Sequence, residues 1–251
     1  PAALPSGEKP FKPIKLKYGD NRANTPGPFG DIAAMTPWIT AIEAVTDGRI
    51  VIDYYPSASL LTYALAEQQI AQGVAEMGYN GRLLAGILPL MDMFNLPPLY
   101  GETTATQSLM IHWFVLYDYL DKDYKAMNLI DLAPTRLAPY MIVTAKKPVY
   151  KVEDIKGLTL MLKDENAIRL FSELKATIVP ISNQDGYEAL AKGIADGGIW
   201  DWMGPFKFGW VDAFKPGYYI DAGGILYGGT NSNVLMNRKI YDGLPADLRE
   251  L

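Results

Sequence analysis

Cysteine is absent from the 251 residues, and histidine occurs once, at His112. Without cysteine there are no disulfides, thiolate metal sites or thiol nucleophiles, and zinc sites built on Cys and His are excluded. A Ser–His–Asp triad would have to use His112, which lies between Ile111 and Trp113 in an apolar helical stretch and reads as a packed residue. No Gly-x-Ser-x-Gly turn accompanies it. Nor does the chain carry a Gly-x-Gly-x-x-Gly after a strand or a Gly-Lys-Ser/Thr loop, so nucleotide phosphates have no cradle. Basic runs are missing too. The 23 Lys and Arg against 28 Asp and Glu leave a net charge of −5, which argues against nucleic acid as a partner. No apolar run approaches the roughly 20 residues that span a bilayer, so direct membrane insertion is not expected. Asp118, Asp121 and Asp123 stand among Lys122 and Lys125 without a calcium-loop pattern, and read as a solvated face. No metal and no cofactor is expected.

What is present is a globular balance. With 49% hydrophobic and 20% charged residues the chain suits one large or two modest domains with a sizeable core. The Pro-rich start, Pro1 to Pro10, lacks the pattern of a secretory signal and reads as the beginning of a mature or trimmed chain. Ile14–Gly19 reads as a strand ending in a polar loop that carries Asn21 and Asn24. Ile32, Met35, Ile39, Ile42 and Val45 recur at helical spacing, and Asp47-Gly48 closes that helix with a left-handed glycine. Arg49–Tyr55 alternates as a strand, Tyr63–Gln72 is helical, and Gly73–Tyr79 is a short buried strand that delivers Tyr79 and Asn80 at its end. A Pro-broken loop over Gly86–Tyr100 and a long helix over Thr104–Met127 follow. Strands are expected at Leu137–Ala145, Gly157–Leu162, Thr177–Ile181 and Ile194–Ile199. Helices are expected at Glu165–Leu174, at Gln184–Lys192 behind an Asn183 cap, and at Pro205–Phe214. Ala222–Asn237 reads as a Gly-punctuated pair of short strands. Such alternation specifies an α/β fold. The expected division is one lobe from residues 14–137 plus 223–251 and another from 138–222, with a small-ligand cleft where the chain crosses twice.

One stretch is more specific. Lys146-Lys147-Pro148, Glu153-Asp154-Ile155-Lys156-Gly157-Leu158, Tyr187-Glu188-Ala189-Leu190 and Gly193-Ile194-Ala195-Asp196-Gly197 follow one another in an order that resembles the second lobe of solute-binding proteins serving TRAP (tripartite ATP-independent periplasmic) transporters, the DctP family. Earlier pieces fit the same resemblance: Thr46-Asp47-Gly48-Arg49, Tyr55-Pro56-Ser57, Gln69–Gly73, Tyr79–Gly86 and Phe94-Asn95-Leu96-Pro97. So do Val234-Leu235-Met236-Asn237 and Leu244-Pro245-Ala246-Asp247-Leu248, beyond which family members continue with long helices that this sequence does not contain. The resemblance implies a two-lobed periplasmic-binding-protein fold with a ligand cleft between lobes joined by crossing strands. It implies a periplasmic, non-catalytic monomer that captures a small organic solute by lobe closure and presents it to membrane permease subunits.

Two departures bear on the solute. Family members carry an arginine on the strand after Lys-Gly-Leu that grips a ligand carboxylate; here that position holds Met161. The chain then places Trp200-Asp201-Trp202 where the family tends to a polar pair. Aromatic faces beside a carboxylate can hold an ammonium group, so an amine, a zwitterion or an alcohol is the expected cargo, with an organic acid held by Arg136 as the alternative. The bland reading leaves both tryptophans in the core. Tyr79, Asn80, Tyr140 and Asn231, with Asn21 and Asn24, complete the expected ligand contacts. A carboxylate-based α/β hydrolase is the enzyme alternative, and it would require two cleft carboxylates about 5–9 Å apart.

Overall fold

The computed structural model describes residues 12–20, 22, 31–62, 65–80, 117–136, 140–163, 165–181, 185–201, 203–214, 219–220 and 231–250. The chain resolves into two compact units. Unit 1 comprises Pro1–Asn80, Asn128–Ile130 and Leu235–Leu251; unit 2 comprises Gly81–Met127 and Asp131–Val234. The expected division ran after residues 137 and 222, with residues 81–127 in the first lobe, whereas these units group 81–127 with the second.

In unit 1, strand β1 (Ile14–Gly19) and helix α1 (Asp31–Val45) occupy the spans that alternation and helical spacing specify. Asp47 and Gly48 both take left-handed conformations, and the Gly48 N–H donates to the Glu43 carbonyl, closing α1. Strand β2 (Ile50–Tyr55) runs parallel to β1 with Gly19 opposite Tyr55. Helix α2 (Ala66–Ala71) leads into β3 (Met77–Asn80), also parallel to β1. Helix α3 (Tyr117–Ala126), which belongs to unit 2, is the described part of the long helix expected over Thr104–Met127. Strand β4 (Leu129–Arg136) and the late strand β10 (Asn231–Asn237) complete a five-stranded sheet of order β2-β1-β3-β10-β4. Both β4 and β10 carry the chain from one unit to the other. They are linked by the buried Asn233 amide, which donates to Asp131 Oδ2 at 2.5 Å. Asn237 accepts from the N–H groups of Lys239 and Ile240, capping helix α7 (Arg238–Asp242), and its own amide donates to the carbonyls of Ile70 and Ala71.

Unit 2 is built on a second, five-stranded sheet, whose strands in spatial order begin at Thr177, Thr159, Gly197, Met141 and Tyr219. Its strands are β5 (Met141–Thr144), β6 (Thr159–Met161), β7 (Thr177–Val179), β8 (Gly197–Trp200) and β9 (Tyr219–Ile220). Strands β6, β7 and β8 are parallel, whereas β5 runs antiparallel to β8 with Met141 opposite Trp200. Alternation sends Ile142, Leu160 and Ile199 to one face, where Phe171 of helix α4 (Glu165–Glu173) packs. The other face carries Met141, Val143 and Met161 against Trp210, Phe214 and residues of helix α5 (Gly186–Ala191). The helix expected over Pro205–Phe214 is instead a short helix α6 (Met203–Lys207) and a separate 3-10 turn, Trp210–Ala213, that starts at Gly209. Helix α8 (Ala246–Arg249) ends the described chain. Among the described residues no helix is long and apolar enough to cross a membrane.

Candidate functional site

Parallel strands direct their carboxyl ends to one edge, and in open α/β sheets that edge is where ligands bind. In unit 1 the edge of β1, β2 and β3 carries Asp20, Arg22, Tyr54 and Tyr79. Asp20 is fully buried directly after β1. Its Oδ1 accepts from the Arg22 backbone N–H and from Nε–H, each at 2.9 Å, and its Oδ2 accepts from Arg22 Nη2 at 2.6 Å and from the Tyr54 hydroxyl at 3.0 Å. The guanidinium lies over the Tyr79 ring, 3.7 Å from its centroid. It is thus fixed by charge, by a fork geometry and by a cation–π contact together. Backbone bonds hold the same segment: Ala58 N–H donates to the Asp20 carbonyl and Ser57 N–H to that of Arg22, both at 2.9 Å. Ser57 and Ala58 take left-handed conformations to reach those acceptors. Beneath the pair lies Tyr18, whose ring meets those of Tyr54 and Trp38. Burial, reinforced by the Asp20 charge, raises the Tyr18 phenol well above its ordinary value, with Arg22 partly opposing.

The corresponding edge of unit 2 is aromatic and apolar. Trp200 stacks on Tyr140 with ring centroids 5.8 Å apart and planes 13° from parallel, and meets Phe208 and Trp210 edge-on. Gly204 lies so close to the Trp200 indole that a Cβ there would overlap the ring. Met161 is buried with this group, beside Gly198 of β8. Asp201 turns inward after β8, and its buried Oδ1 accepts from the Gly204 N–H at 2.9 Å in the first turn of α6. Just past β6, partial burial lowers the Lys163 ammonium below its ordinary value, against the pull of Asp185.

Of the residues expected from the sequence, the structure therefore brings Tyr140, Met161, Trp200 and Asp201 together in unit 2 and places Tyr79 in unit 1. Asn80, Arg136 and Asn231 lie on strands β3, β4 and β10. Arg136 is the last residue of β4, and Tyr140 precedes β5. Asn21, Asn24 and Trp202 lie outside the described residues, as do His112 and Asn183. Sequence reasoning reached the loop after β1 but passed over Asp20 and Arg22. An acid and a base two apart are commonplace, and the signal that singles them out, Tyr54 and Ser57-Ala58, comes from another part of the chain. Among the described residues no group of three or more His, Cys, Asp or Glu could hold a metal ion.

Comparison with known proteins bears on the whole chain. The family model described as "Bacterial extracellular solute-binding protein, family 7" (DctP) matches residues 30–251. "Uncharacterized protein YiiZ" of Salmonella typhimurium is 23% identical over 158 residues, 62% of this chain and 48% of that protein. The chain thus spans about half the length of the curated relative it matches. Among solved structures, the Bordetella pertussis extracytoplasmic solute receptor DctP7, binding pyroglutamic acid, superposes with a TM-score of 0.79 at 18% identity, over 94% of this chain and 75% of that one. A marine metagenome TRAP solute-binding protein specific for aromatic acid ligands, in complex with 3-hydroxybenzoate, gives 0.79 at 21% identity, over 96% and 73%. At these identities the structures establish the fold, that of two-lobed TRAP solute-binding proteins.

Proposed function

This chain belongs to the bacterial extracellular solute-binding proteins of family 7, and we propose that, as the periplasmic binding component of a TRAP carrier, it captures a small organic acid and delivers it to a membrane permease. One observation carries the choice of an acid over an amine. Asp201, the carboxylate that would receive an ammonium group, is buried and accepts the Gly204 N–H. One face of Trp200 is likewise covered by Tyr140, and Gly204 abuts its indole. Turning Asp201 outward would strip an orphan donor at the start of α6 of its partner, which costs about 1 kcal/mol. The two solved structures described above hold, in their own sites, pyroglutamic acid and 3-hydroxybenzoate, both carboxylic acids.

An amine, a zwitterion or an alcohol remains the competing reading, motivated by Met161 standing where the family has its arginine. A thermal-shift panel separates the two. Pyroglutamate, 3-hydroxybenzoate and galacturonate are expected to raise the melting temperature, while choline, primary amines and polyols leave it unchanged. Ligand at about a hundred times its Kd adds about 2.7 kcal/mol to folding stability, well within the resolution of such a panel. Stabilisation by the amines or polyols alone would overturn the acid reading.

A further inference from the structure

We propose that Lys163 is the anion anchor of unit 2 and grips the carboxylate of the organic acid beside Trp200. The proposal rests on the organic-acid reading and names the cation that takes the acid's charge. Its position follows from the second sheet. Strands β6 and β8 run parallel, with Leu160 opposite Gly197 and Met161 opposite Gly198. Continued by two places, that register sets Lys163 level with Trp200, the last residue of β8. Alternation persists past the end of β6. Leu160 and Leu162 pack on one face with Phe171, while Met161 packs on the other, where Trp200 also lies. Lys163, next in the alternation, falls on the Met161 and Trp200 side. Asp185 agrees with that placement. It directly precedes helix α5, which covers the same face through Ala189 and Leu190, and its charge acts on the Lys163 ammonium.

Lys163 differs from other lysines of unit 2 in what it lacks. Lys125, Lys146 and Lys192 each hold their ammonium against a carboxylate, at 2.7, 3.1 and 2.6 Å. Among the described residues Lys163 has neither an ion pair nor a hydrogen bond to its ammonium. Protein nevertheless surrounds that ammonium closely enough to disfavour its charge, and Asp185 offsets only part of the effect. A cation drawn partly out of water without a bonded partner is costly to the protein alone, and an incoming anion relieves the cost. The residue itself stays exposed, so a solute can reach it, and Trp200 beside it is only partly buried. The setting is the carboxyl edge of the parallel strands β6, β7 and β8, where open α/β sheets gather their ligands. Met161 brings no charge to the end of β6. Lys163 brings one about 7 Å further along the same line, as a point charge on a flexible stem that can follow a carboxylate.

Because Lys163 is exposed, its substitution should leave the fold intact, which a cooperative melt and a wild-type circular dichroism spectrum check. Lys163→Met keeps most of the apolar stem and removes the charge, whereas Lys163→Arg keeps the charge. Wild type and both variants are titrated calorimetrically with pyroglutamate, 3-hydroxybenzoate and galacturonate, and with 3-hydroxybenzamide as the uncharged match to the second. The expected result is binding of at least one acid by wild type, weakened roughly tenfold or more in Lys163→Met and largely kept in Lys163→Arg. Any preference of wild type for 3-hydroxybenzoate over its amide should collapse in Lys163→Met, a change that a purely structural role would not produce. Undiminished acid affinity in Lys163→Met, or an equal loss in both variants, overturns the anchor and leaves the acid reading standing. Failure of wild type to bind any of the three acids overturns both.

Discussion

The carboxyl edges of the two sheets are built from opposite materials. At the first, a buried carboxylate, a guanidinium and two phenols are tied by directional bonds, and the backbone is bent into unfavourable conformations to complete them. At the second, Tyr140, Trp200, Phe208 and Trp210 stack and abut beside the Asp201 cap. Packing of that kind gives area and shape, whereas a clamped charge gives a fixed direction.

That contrast can be attacked at each end. The largest effect is expected from Trp210→Ala. Trp210 is almost fully buried, and Gly186 comes so close that a Cβ there would lie 2.5 Å from the indole. Loss of the ring should cost about 3–5 kcal/mol in urea denaturation. A change below about 1 kcal/mol would mean that the aromatic group is not the packing centre described here.

Next comes alkaline titration of the charged edge. The folded Tyr18 phenol ionises well above its ordinary value, as does that of Tyr124, which is buried beside Asp131. Both groups hold their protons longer in the folded state than in the unfolded one. Their contribution is therefore complete below about pH 10 and is lost as the pH rises beyond it, by up to about 1.4 kcal/mol per pH unit for each phenol. Urea melts between about pH 9 and 11 should show this decline, and Tyr18→Phe should flatten it. An identical slope in Tyr18→Phe would remove Tyr18 from the account.

The smallest effect is expected from Asp201→Ala, about 1 kcal/mol of stability for a lost cap, with the affinity for acids unchanged. Should that variant keep its stability and lose ligand binding, Asp201 faces the solute.

How much of this was legible beforehand depends on the distance from which each determinant comes. The span of β1 and the course of α1 followed from alternation, helical spacing and the Asp47-Gly48 stop, all local signals. Strand β4 did not. Asp131 and Pro134 interrupt its apolar pattern, and what allows Asp131 to be buried is Asn233, 102 residues further on. The alternation rule set Trp200 and Asp201 on opposite sides and left the direction of Asp201 open. An acid three residues before a helical Gly204 was the available sign that it would turn inward as a cap. Arg22 was hidden for a similar reason. Its neighbours Asn21 and Asn24 stand out by their position after a strand, but only the fold reveals that Asp20 is buried and that Tyr54 and Ala58 converge on it.

The strand order of the first sheet also dictates a schedule. Strand β10 lies between β3 and β4, both of which are made well before it. Until residues 231–237 emerge, the flank of β3 that receives β10 has no neighbour, and an open strand flank invites pairing with the wrong chain. The sheet that carries Asp20 and Arg22 therefore cannot close before β10 has been made. A chain built this way gains from being kept unfolded until β10 is available.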